Sequence, residues 1–266
     1  MIDRGKKCVL GIKVDAVDYE GAVNRIEAAA KAQQAFTVSA LAVHGLMTGV
    51  QSDQHKFRLN AFDLIVPDGQ PVMWALNLLH HTALSSRVYG PELTIRTLEM
   101  AAREDLPVYF YGSTPEVLCD LLDRAQKMLP RLRVAGFEPS QFRSLSPREC
   151  DELGKRVEDS GARILFVGLG CPRQEIFAYE MRTRFPMPVL AVGAAFAFIS
   201  GRLSQAPSWL GPLGLEWAYR LHKEPRRLWR RYMFLNPYYV LLLLRQWLGT
   251  TYSTDGQKPS VSVLHG

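Results

Sequence analysis

An acidic residue follows a short apolar run in the first third of the chain, in Leu64-Ile65-Val66-Pro67-Asp68-Gly69. Ile65 and Val66 are β-branched and favour a buried strand, while Asp68-Gly69 favours a turn. Helix-compatible apolar residues follow over residues 72–79. The pattern predicts that Asp68 lies where a strand passes into a helix, which is where open α/β sheets bind ligands. An alternative is that Asp68 only caps the helix that follows, because Asp is common at that position.

Two further strand ends carry residue types that suit an anion. Gly112-Ser113-Thr114 follows one apolar run, and Gly168-Leu169-Gly170-Cys171-Pro172 follows another at residues 163–167. Glycine allows a ligand to approach the backbone, and N–H groups at the start of a helix favour phosphate. Arg173-Gln174-Glu175 would lie in the first turn of the second helix. An ordinary strand-to-helix connection is the alternative for the turn after Gly112.

The chain lacks the sequence signatures of several large enzyme classes. Gly168-x-Gly170 is followed by Arg173 where a dinucleotide-binding fingerprint needs a third glycine. There is no Gly-Lys-Ser/Thr phosphate loop and no Gly-x-Ser-x-Gly nucleophile turn. There is also no Asp-x-Asp pair, which many nucleotide-sugar enzymes use to hold a metal against the diphosphate. A nucleotide diphosphate would therefore have to be bound by helix starts and arginines, with no metal and no other cofactor.

The composition is that of a globular protein, with 47% hydrophobic and 22% charged residues in 266. The four cysteines are scattered and form no Cys-x-x-Cys pair, which argues against a zinc site or a disulfide framework and favours a reducing compartment. We see no signal peptide, because the charged N-terminus leads into a stretch broken by Gly11, Lys13 and Asp15. No window reaches the roughly 18 to 20 apolar residues of a spanning helix. We therefore expect a cytoplasmic protein.

The positive charge lies near the C-terminus. Residues 202–245 contain eight basic and two acidic residues, so the remainder of a chain of net charge +6 is neutral. On a helical projection of residues 226–235, basic and apolar side chains separate onto two faces, apart from Phe234. The basic face holds Arg226, Arg227, Arg230 and Arg231. The apolar face holds Leu228, Trp229, Tyr232, Met233 and Leu235. This pattern indicates a helix at the surface of an anionic membrane.

Two alternatives remain open for the basic segment. It also fits a helix packed on the sheet with its basic face in solvent, or a patch that binds nucleic acid, because arginine clusters bind phosphate generally. Against the nucleic-acid alternative, the aromatic residues lie opposite the arginines and do not alternate with them as a base-stacking surface would. An apolar, aromatic-flanked stretch at 238–247, too short to span a bilayer, favours the membrane.

Apolar runs typical of strands alternate with amphipathic runs typical of helices along most of the chain. Strands are predicted at 8–14 (which also fits half of a hairpin), 36–40, 64–66, 107–111, 133–137, 163–167 and 188–192. Helices are predicted at 18–32 with Asp18 as the cap, at 42–51, 72–79, 147–160 and 213–221, and from about Pro91 to Arg103. Further helices are predicted after Thr114 and from Pro172 and Pro225. The alternation predicts an α/β fold with a Rossmann-like, mostly parallel sheet flanked by helices. We expect this core at 1–206, a basic amphipathic helical appendage at 207–248 and a flexible polar tail at 249–266.

With these features together, the chain resembles the WecG/TagA/CpsF family of bacterial glycosyltransferases over about residues 8–237. The resemblance rests on four segments, the last of which is long and specific. They are Val66-Pro-Asp-Gly, Arg87-x-x-Gly-x-x-Leu93, Gly168-Leu-Gly-Cys-Pro-Arg-Gln-Glu175, and Ala206-Pro-x-Trp continuing through Gly214-Leu-Glu-Trp-x-Tyr-Arg-Leu to Glu224-Pro-Arg-Arg-Leu-Trp-Arg-Arg-Tyr232. The resemblance implies inverting, metal-independent transfer of a sugar from a UDP-sugar to a polyprenyl-diphosphate-linked saccharide. It places that reaction on the cytoplasmic face of the inner membrane, in cell-surface or exopolysaccharide synthesis.

The resemblance also implies roles for individual residues. Asp68 matches the catalytic base, Thr37 a threonine of the active-site pocket, and Gln174 a donor-site glutamine. The remaining substrate-binding candidates are Ser39, Arg87, Gly112, Gly168, Gly170 and Glu175. The candidates for the lipid-linked diphosphate and the membrane are Arg220, Arg226, Arg227, Arg230 and Arg231.

The chain departs from the family pattern at four positions. Ser39 stands where asparagine is usual, Glu92 and Ala197 where aspartate is usual, and Gln205 where arginine is usual. Because all four positions bear on the donor or acceptor pocket, the donor is left open between an N-acetylmannosamine-type sugar, its uronic acid and a hexose such as glucose. The departures at Ala197 and Gln205 also leave open a non-catalytic nucleotide-sugar-binding relative. The acceptor sugar, the linkage and a homo-oligomeric state are open as well.

Overall fold

Eight strands run through the residues that the structure describes. This computed structural model describes residues 1–204, 206–207, 210, 214, 216–259, 264 and 266, and of residues 216, 220, 227, 230 and 231 it describes the backbone alone. The strands are β1 (Asp3–Val9), β2 (Ile12–Val17), β3 (Phe36–Leu41), β4 (Leu64–Pro67), β5 (Val108–Gly112), β6 (Val134–Glu138), β7 (Ile164–Gly168) and β8 (Pro188–Ala191).

Strands β3 to β8 form one parallel sheet in the order β4-β3-β8-β7-β5-β6. Because the strands are parallel, their carboxyl ends lie along one edge of the sheet. The register pairs Leu41 with Pro67 at this edge and Gly112 with Gly168 further along it. The predicted α/β class and parallel sheet are confirmed, and the six strands predicted for it lie within one residue of the observed bounds.

Helices cover both faces of the sheet. They are α1 (Tyr19–Ala32), α2 (Val43–Val50), α3 (Asp53–Asn60), α4 (Gln70–His80), α5 (Gly90–Arg103), α6 (Pro115–Met128), α7 (Pro147–Asp159), α8 (Arg173–Met181), α9 (Ala195–Ile199), α10 (Glu216–Lys223), α11 (Pro225–Arg230) and α12 (Asn236–Trp247). The side chain of Asp18 caps α1 by accepting a hydrogen bond from the Gly21 N–H at 2.8 Å, as predicted. Two short helices, α3 and α9, were not predicted.

The side chains of each central strand alternate between two apolar cores. In β7, Leu165 and Val167 join one core and Ile164 and Phe166 join the other, and all four are fully buried. Burial on both faces explains why this strand reads as a continuous apolar run in the sequence. The edge strand β6 is only partly buried.

The first predicted strand is part of a hairpin, which is one of the two readings that its sequence allowed. Strands β1 and β2 pair antiparallel, and Leu10 and Gly11 form the turn with φ angles of 53° and 85°. Two consecutive residues with positive φ suit a tight hairpin turn. Asp15 on β2 fastens the hairpin to the sheet, because its carboxylate accepts a hydrogen bond from the Ile65 N–H at 2.7 Å.

The C-terminal helices continue one of the two cores. A π-helical turn at Arg231–Leu235 separates α11 from α12. Tyr239 and Leu242 of α12 are buried in the same core as the hairpin, and the Tyr239 hydroxyl donates a hydrogen bond to the Pro71 carbonyl at 2.9 Å. No helix in the described part of the chain is long and apolar enough to cross a membrane.

Residues 250–259, which we expected in a flexible tail, lie along the hairpin and α3 without forming a helix or strand. The Tyr252 hydroxyl donates to the Leu242 carbonyl at 3.3 Å, and the Asn60 amide donates to the Thr254 carbonyl at 2.7 Å. Hydrogen bonds to backbone carbonyls, one in α12 and one in the segment itself, thus hold this polar segment against the rest of the protein. The domain boundaries at 206 and 248 stay predictions.

Candidate active site

A cavity of about 220 Å³ opens at the carboxyl edge of the sheet, where β3, β4 and β8 end. Four of the residues predicted for the site line it, namely Asp68, Gly170, Gln174 and Glu175. The rest of its wall comes largely from the residues that follow β3, including His44, and from residues 192–194 after β8. This is the place in a parallel α/β sheet where ligands bind.

Asp68 is held at the cavity by the ends of two strands, β3 and β4, and by the start of helix α5. Its own N–H donates to the Leu41 carbonyl at 3.2 Å, and the Val88 N–H donates to the Pro67 carbonyl at 2.9 Å. Its side-chain Oδ1 accepts from the Gly90 N–H at 3.0 Å, at the first residue of α5. The alternative that Asp68 caps the helix that follows it is wrong, because Gly69 stands at that position of α4 with no side-chain cap. Asp68 binds the start of a different helix, whose positive end stabilises a carboxylate.

Glu175 is buried in the wall of the cavity, with 1% of its surface exposed. Its Oε1 accepts hydrogen bonds from the Gln174 amide at 2.8 Å and the Ser39 hydroxyl at 3.2 Å. Gln174 is fixed in turn, because its Oε1 accepts from the Gly170 N–H at 3.2 Å. Burial raises the pKa of the Glu175 carboxyl above its ordinary value, and hydrogen bonds from Gln174, from the backbone N–H of Glu175, from Ser39 and from the Cys171 thiol oppose that shift. A chain of hydrogen bonds therefore links the loop after β7 to a buried carboxyl.

The helices that begin at the cavity share one local feature. The residues before α2, α4, α8 and α9 are Ala42, Gly69, Pro172 and Ala194, and none of them caps its helix with a side chain. By contrast α1, α3, α6 and α7 are capped by Asp18, Ser52, Thr114 and Ser146. An uncapped helix start leaves backbone N–H groups and the positive end of the helix dipole available to an anion. The positive ends of four helices therefore lie at the cavity, although the N–H groups of Gln174 and Ala195 already donate to the carbonyls of Gly170 and Val192.

Thr37 lies at the other end of β3, away from the cavity. Its hydroxyl donates to Asp63 Oδ2 at 2.8 Å and accepts from the Asp63 N–H at 3.1 Å. Leu41, which lines the cavity, is four residues further along the strand, a distance of about 13 Å. Contrary to the expectation, the structure does not bring Thr37 into the pocket; Ser39 is the β3 residue that contacts Glu175.

Gly112 and Gly168 serve close packing rather than the cavity. A Cβ atom on Gly112, whose φ is 111°, would lie 2.9 Å from the Gly168 carbonyl, and one on Gly168 would lie 2.6 Å from the Phe196 ring. The anion-binding turn expected after Gly112 is also occupied. The Ser113 N–H donates to the Gly168 carbonyl at 3.0 Å, and the Thr114 hydroxyl accepts from the Val117 N–H at 3.4 Å.

Arg87 lies beside the cavity rather than in its wall. Its guanidinium stacks on the Tyr89 ring, 4.6 Å from the ring centroid, and Tyr89 precedes the Gly90 N–H that binds Asp68. Of the four positions that depart from the family pattern, Ser39 contacts Glu175, whereas Glu92 pairs with Arg96 on the surface at 2.8 Å. Ala197 lies within α9, and Gln205 lies outside the described residues.

The C-terminal arginines are described only in part. Arg226 is exposed at the start of α11. The side chains of Arg220, Arg227, Arg230 and Arg231 lie outside the described residues, so their predicted role at the acceptor or the membrane stays a prediction.

An apolar groove of about 560 Å³ lies next to the cavity, between α4 and the C-terminal helices. Pro71 and Trp74 line one side, and Trp217, Tyr239 and Leu244 line the other. Val43 borders the groove while the next residue, His44, lines the cavity. The two spaces therefore adjoin at the start of α2.

Sequence reasoning missed His44 and the segment 192–194. The signal that could have found them is their position directly after β3 and β8, because neighbouring parallel strands end at the same edge. Among the described residues, no three His, Cys, Asp or Glu side chains are grouped so as to hold a metal ion. Metal-independent chemistry stays a prediction.

Fold and site together define a parallel α/β protein with a carboxylate and several uncapped helix starts at one cavity. The chain belongs to the glycosyl transferase WecG/TagA/CpsF family, whose model matches residues 7–253. This confirms the resemblance drawn from the motifs and makes the protein a glycosyltransferase.

Two relatives share the name N-acetylglucosaminyldiphosphoundecaprenol N-acetyl-beta-D-mannosaminyltransferase. The protein from Bacillus spizizenii is 32% identical over 197 residues, which are 74% of this chain and 74% of that protein. The protein from Bacillus subtilis (strain 168) is 31% identical over 191 residues, which are 71% of each chain.

Proposed function

We propose that this glycosyltransferase moves a sugar, with inversion and without a metal, from a UDP-sugar to a polyprenyl-diphosphate-linked saccharide in cell-surface or exopolysaccharide synthesis. The names of the two Bacillus relatives support the lipid-linked acceptor. The observation that carries the proposal is the convergence of Asp68 and four helix starts without side-chain caps on one cavity. It provides a base and an anion site in one place.

Asp68 acts as the general base. In an inverting transfer the acceptor hydroxyl attacks the anomeric carbon on the face opposite the leaving diphosphate, and a base must remove its proton. The Gly90 N–H holds one oxygen of Asp68 at 3.0 Å and so fixes the orientation of the carboxylate. A fixed base needs little reorganisation when the proton moves.

The helix starts stabilise the UDP that departs. As the glycosidic bond to the diphosphate breaks, negative charge develops on the phosphate oxygen, and preorganised N–H groups lower the energy of that state. Gly170 and Gln174 place the start of α8 at the cavity, and α9 begins at its other side. Arg87, whose guanidinium stacks on Tyr89 next to the Gly90 N–H that binds Asp68, adds a positive charge. These groups replace the metal ion that an Asp-x-Asp enzyme would use.

The apolar groove suits the lipid of the acceptor. It is lined by tryptophan, tyrosine, proline and aliphatic side chains and adjoins the cavity at α2. A polyprenyl chain could lie there while its diphosphate faces the basic segment and its terminal sugar reaches Asp68. Arg220, Arg226, Arg227, Arg230 and Arg231 are the proposed partners of the acceptor diphosphate and of anionic lipid.

The C-terminal helices support a peripheral position on the cytoplasmic face of the inner membrane. Met233 and Phe234 are 63% and 67% exposed, and Trp229 and Trp247 are also exposed. Lys223, Arg226 and Arg245 lie exposed on the same helices. Apolar and basic side chains exposed on one segment are typical of helices that lie in the membrane interface.

The donor sugar is an N-acetylhexosaminyl or hexosyl unit. The name of the two relatives supports N-acetylmannosamine. The short Ser39 side chain beside Glu175 leaves room for a sugar other than N-acetylmannosamine. Glucose and N-acetylmannosaminuronic acid are therefore tested as well.

The test is a transfer assay with purified protein. UDP-N-acetylmannosamine, UDP-glucose and UDP-N-acetylmannosaminuronic acid are each incubated with polyprenyl-diphosphate-N-acetylglucosamine in detergent or liposomes. We expect one donor to give both UDP and a glycosylated lipid, at the same rate with and without EDTA. The anomeric configuration of the product, read by NMR, reports inversion.

Three outcomes would contradict parts of the proposal. Binding of UDP-sugars without UDP release from any donor would indicate a non-catalytic relative. Loss of transfer in EDTA, restored by Mg²⁺ or Mn²⁺, would refute the helix-start account of diphosphate binding. Retention of configuration would require a different role for Asp68.

A further inference from the structure

Glu175 carries a carboxyl oxygen that the fold leaves unsatisfied. Its Oε1 has two donors, Gln174 and Ser39. Its Oε2 is buried and has no N–H or O–H donor among the residues that the structure describes. The Cys171 thiol, a weak donor, also stabilises the ionised carboxyl. The residue lines the same cavity as Asp68.

Such an oxygen is uncommon in a folded protein. Buried polar atoms are almost always hydrogen-bonded, because a buried acceptor without a donor loses its water and gains nothing in return. The cost is greatest for a carboxylate. A side chain in this state at a ligand cavity indicates that the ligand supplies the missing donor.

The orientation of this carboxyl is fixed from the backbone. The Gly170 N–H donates to the Gln174 side chain, whose own amide donates to Glu175 Oε1. The Ser39 hydroxyl approaches the same oxygen from β3. Because both donors bind Oε1, they turn Oε2 away from themselves and hold it there. Gln174 and Ser39 are therefore positioning residues for Glu175.

The place of Glu175 identifies the kind of donor it meets. It lies in the first turn of α8, one of the uncapped helix starts assigned to the diphosphate. A sugar joined to that diphosphate must lie between the start of α8 and Asp68, which is the space that Glu175 borders. The groups that a sugar presents at this point are hydroxyl groups and, in an N-acetyl sugar, an amide N–H.

We propose that Glu175 determines donor-sugar selection by accepting, at Oε2, a hydrogen bond from one hydroxyl or amide group of the sugar of the nucleotide donor. This proposal rests on the proposed function for the identity of the ligand, but it concerns binding alone. It predicts that Glu175 distinguishes one substituent of the sugar and contributes nothing to binding of UDP.

The test measures binding, so that it does not depend on turnover. Affinities are determined by calorimetry for UDP, for UDP-glucose and UDP-N-acetylmannosamine, and for deoxy analogues of whichever parent binds more tightly. The wild-type protein should lose about 10- to 100-fold in affinity when one particular sugar group is removed, the value of one hydrogen bond to a charged acceptor. Removal of the other groups should matter less.

The decisive variant is Glu175→Gln. Its amide oxygen must take the Oε1 position, because Gln174 and Ser39 both donate there, and its NH₂ group then replaces Oε2. The acceptor becomes a donor without a change of shape. We expect this variant to bind UDP like the wild type, to bind the parent UDP-sugar about 10- to 100-fold more weakly, and to be insensitive to loss of the group that the wild type detects. Ser39→Ala should produce the same pattern with a smaller loss.

Other results separate a structural role from a functional one. Glu152→Gln on the surface of α7 is the matched control and should change none of these affinities. Equal losses for UDP and every UDP-sugar in Glu175→Gln, or equal sensitivity of wild type and variant to every deoxy analogue, would overturn the proposal. If Glu175→Gln does not fold, as judged by thermal unfolding, Ser39→Ala decides by the same criteria. Failure of the wild type to release UDP from any donor would refute the proposed function while the binding contrast stood.

Discussion

The cavity at the sheet edge and the C-terminal helices offer a ligand different kinds of chemical group. At the cavity, the polar groups come from strand ends and helix starts, and the charged side chains that line it are the carboxyls of Asp68 and Glu175. On the C-terminal helices, the groups available to a partner are side chains, because Met233 and Phe234 expose most of their apolar surface. Backbone groups fix a geometry to which a diphosphate can be matched, whereas exposed apolar and basic side chains suit a fluid surface that has no fixed geometry.

The two regions also share structure. Leu228, Tyr239 and Leu242 are buried, and Tyr239 donates to Pro71 three residues after Asp68. Burial raises the pKa of the Tyr239 hydroxyl, so it stays protonated and able to donate. Removal of the whole segment would therefore expose core residues, and truncation cannot separate binding from folding. Point substitutions can.

The largest effect should come from Asp68→Asn. The amide keeps the shape of the side chain but cannot accept a proton, so we expect kcat to fall by about 10² to 10⁴ with UDP affinity nearly unchanged. UDP release and calorimetry measure the two quantities. Asp123→Asn on the surface of α6 is the matched control. Turnover in Asp68→Asn at the wild-type rate would remove Asp68 from the role of base.

The next largest effect should be on stability, from Leu242→Ala on the buried face of α12. Leu242 is 6% exposed and joins the core that also contains the hairpin. Truncation of a buried leucine costs about 2 to 5 kcal/mol in the free energy of unfolding. Urea denaturation measures this change, and Leu241→Ala, whose side chain is 48% exposed, serves as the control. Equal effects of the two substitutions would mean that the C-terminal helices do not pack as described.

The central sheet could be predicted because its strands are buried on both faces. An uninterrupted apolar run such as Ile164-Leu165-Phe166-Val167 needs no distant information to be recognised. The turn at Leu10-Gly11 could not, because a leucine with φ of 53° is held there by the paired strands and not by its own preference. Helix α3 was missed because its sequence, Asp-Gln-His-Lys-Phe-Arg-Leu-Asn, has only two strongly apolar residues.

The residues of the site, like the secondary structure, could be predicted only where neighbouring residues in the sequence carry the signal. Asp68 was found because its strand and turn are adjacent in the sequence. Its partner Gly90 is 22 residues away and meets it only through packing of α5 against the sheet. Thr37 was assigned to the pocket by resemblance, but it lies near the amino end of β3, where it binds Asp63. Ser39, two residues further along the same strand, is the residue that contacts Glu175. The missing helix caps become informative only after the structure has shown which helices begin at the cavity.

A smaller effect is expected from the exposed apolar face. Met233→Ser combined with Phe234→Ser removes apolar surface that is not part of the core, so stability should be unchanged. We expect at least about tenfold weaker binding to anionic liposomes. Cosedimentation measures it, and Met128→Ser on α6, which is 52% exposed, is the control. Arg226→Glu should weaken binding further in a salt-dependent way. Unchanged binding in both variants would mean that these helices do not contact the membrane.

The smallest effect is expected from Thr37→Val, which tests whether Thr37 belongs to the active site. Valine keeps the shape of threonine but loses the hydroxyl that bonds Asp63 twice, so we expect a loss of about 1 to 2 kcal/mol in the free energy of unfolding. Because Thr37 lies about 10 to 13 Å from Ala40 and Leu41, the residues of β3 that line the cavity, KM and kcat should stay within about twofold of the wild type. Steady-state kinetics and urea denaturation measure these quantities. The opposite pattern, a large loss of kcat/KM at unchanged stability, would place Thr37 at the substrate and require β3 to bind it from its amino end. Ser39→Ala provides the comparison on the same strand, because its hydroxyl contacts Glu175 and its loss should weaken binding of the UDP-sugar and not of UDP.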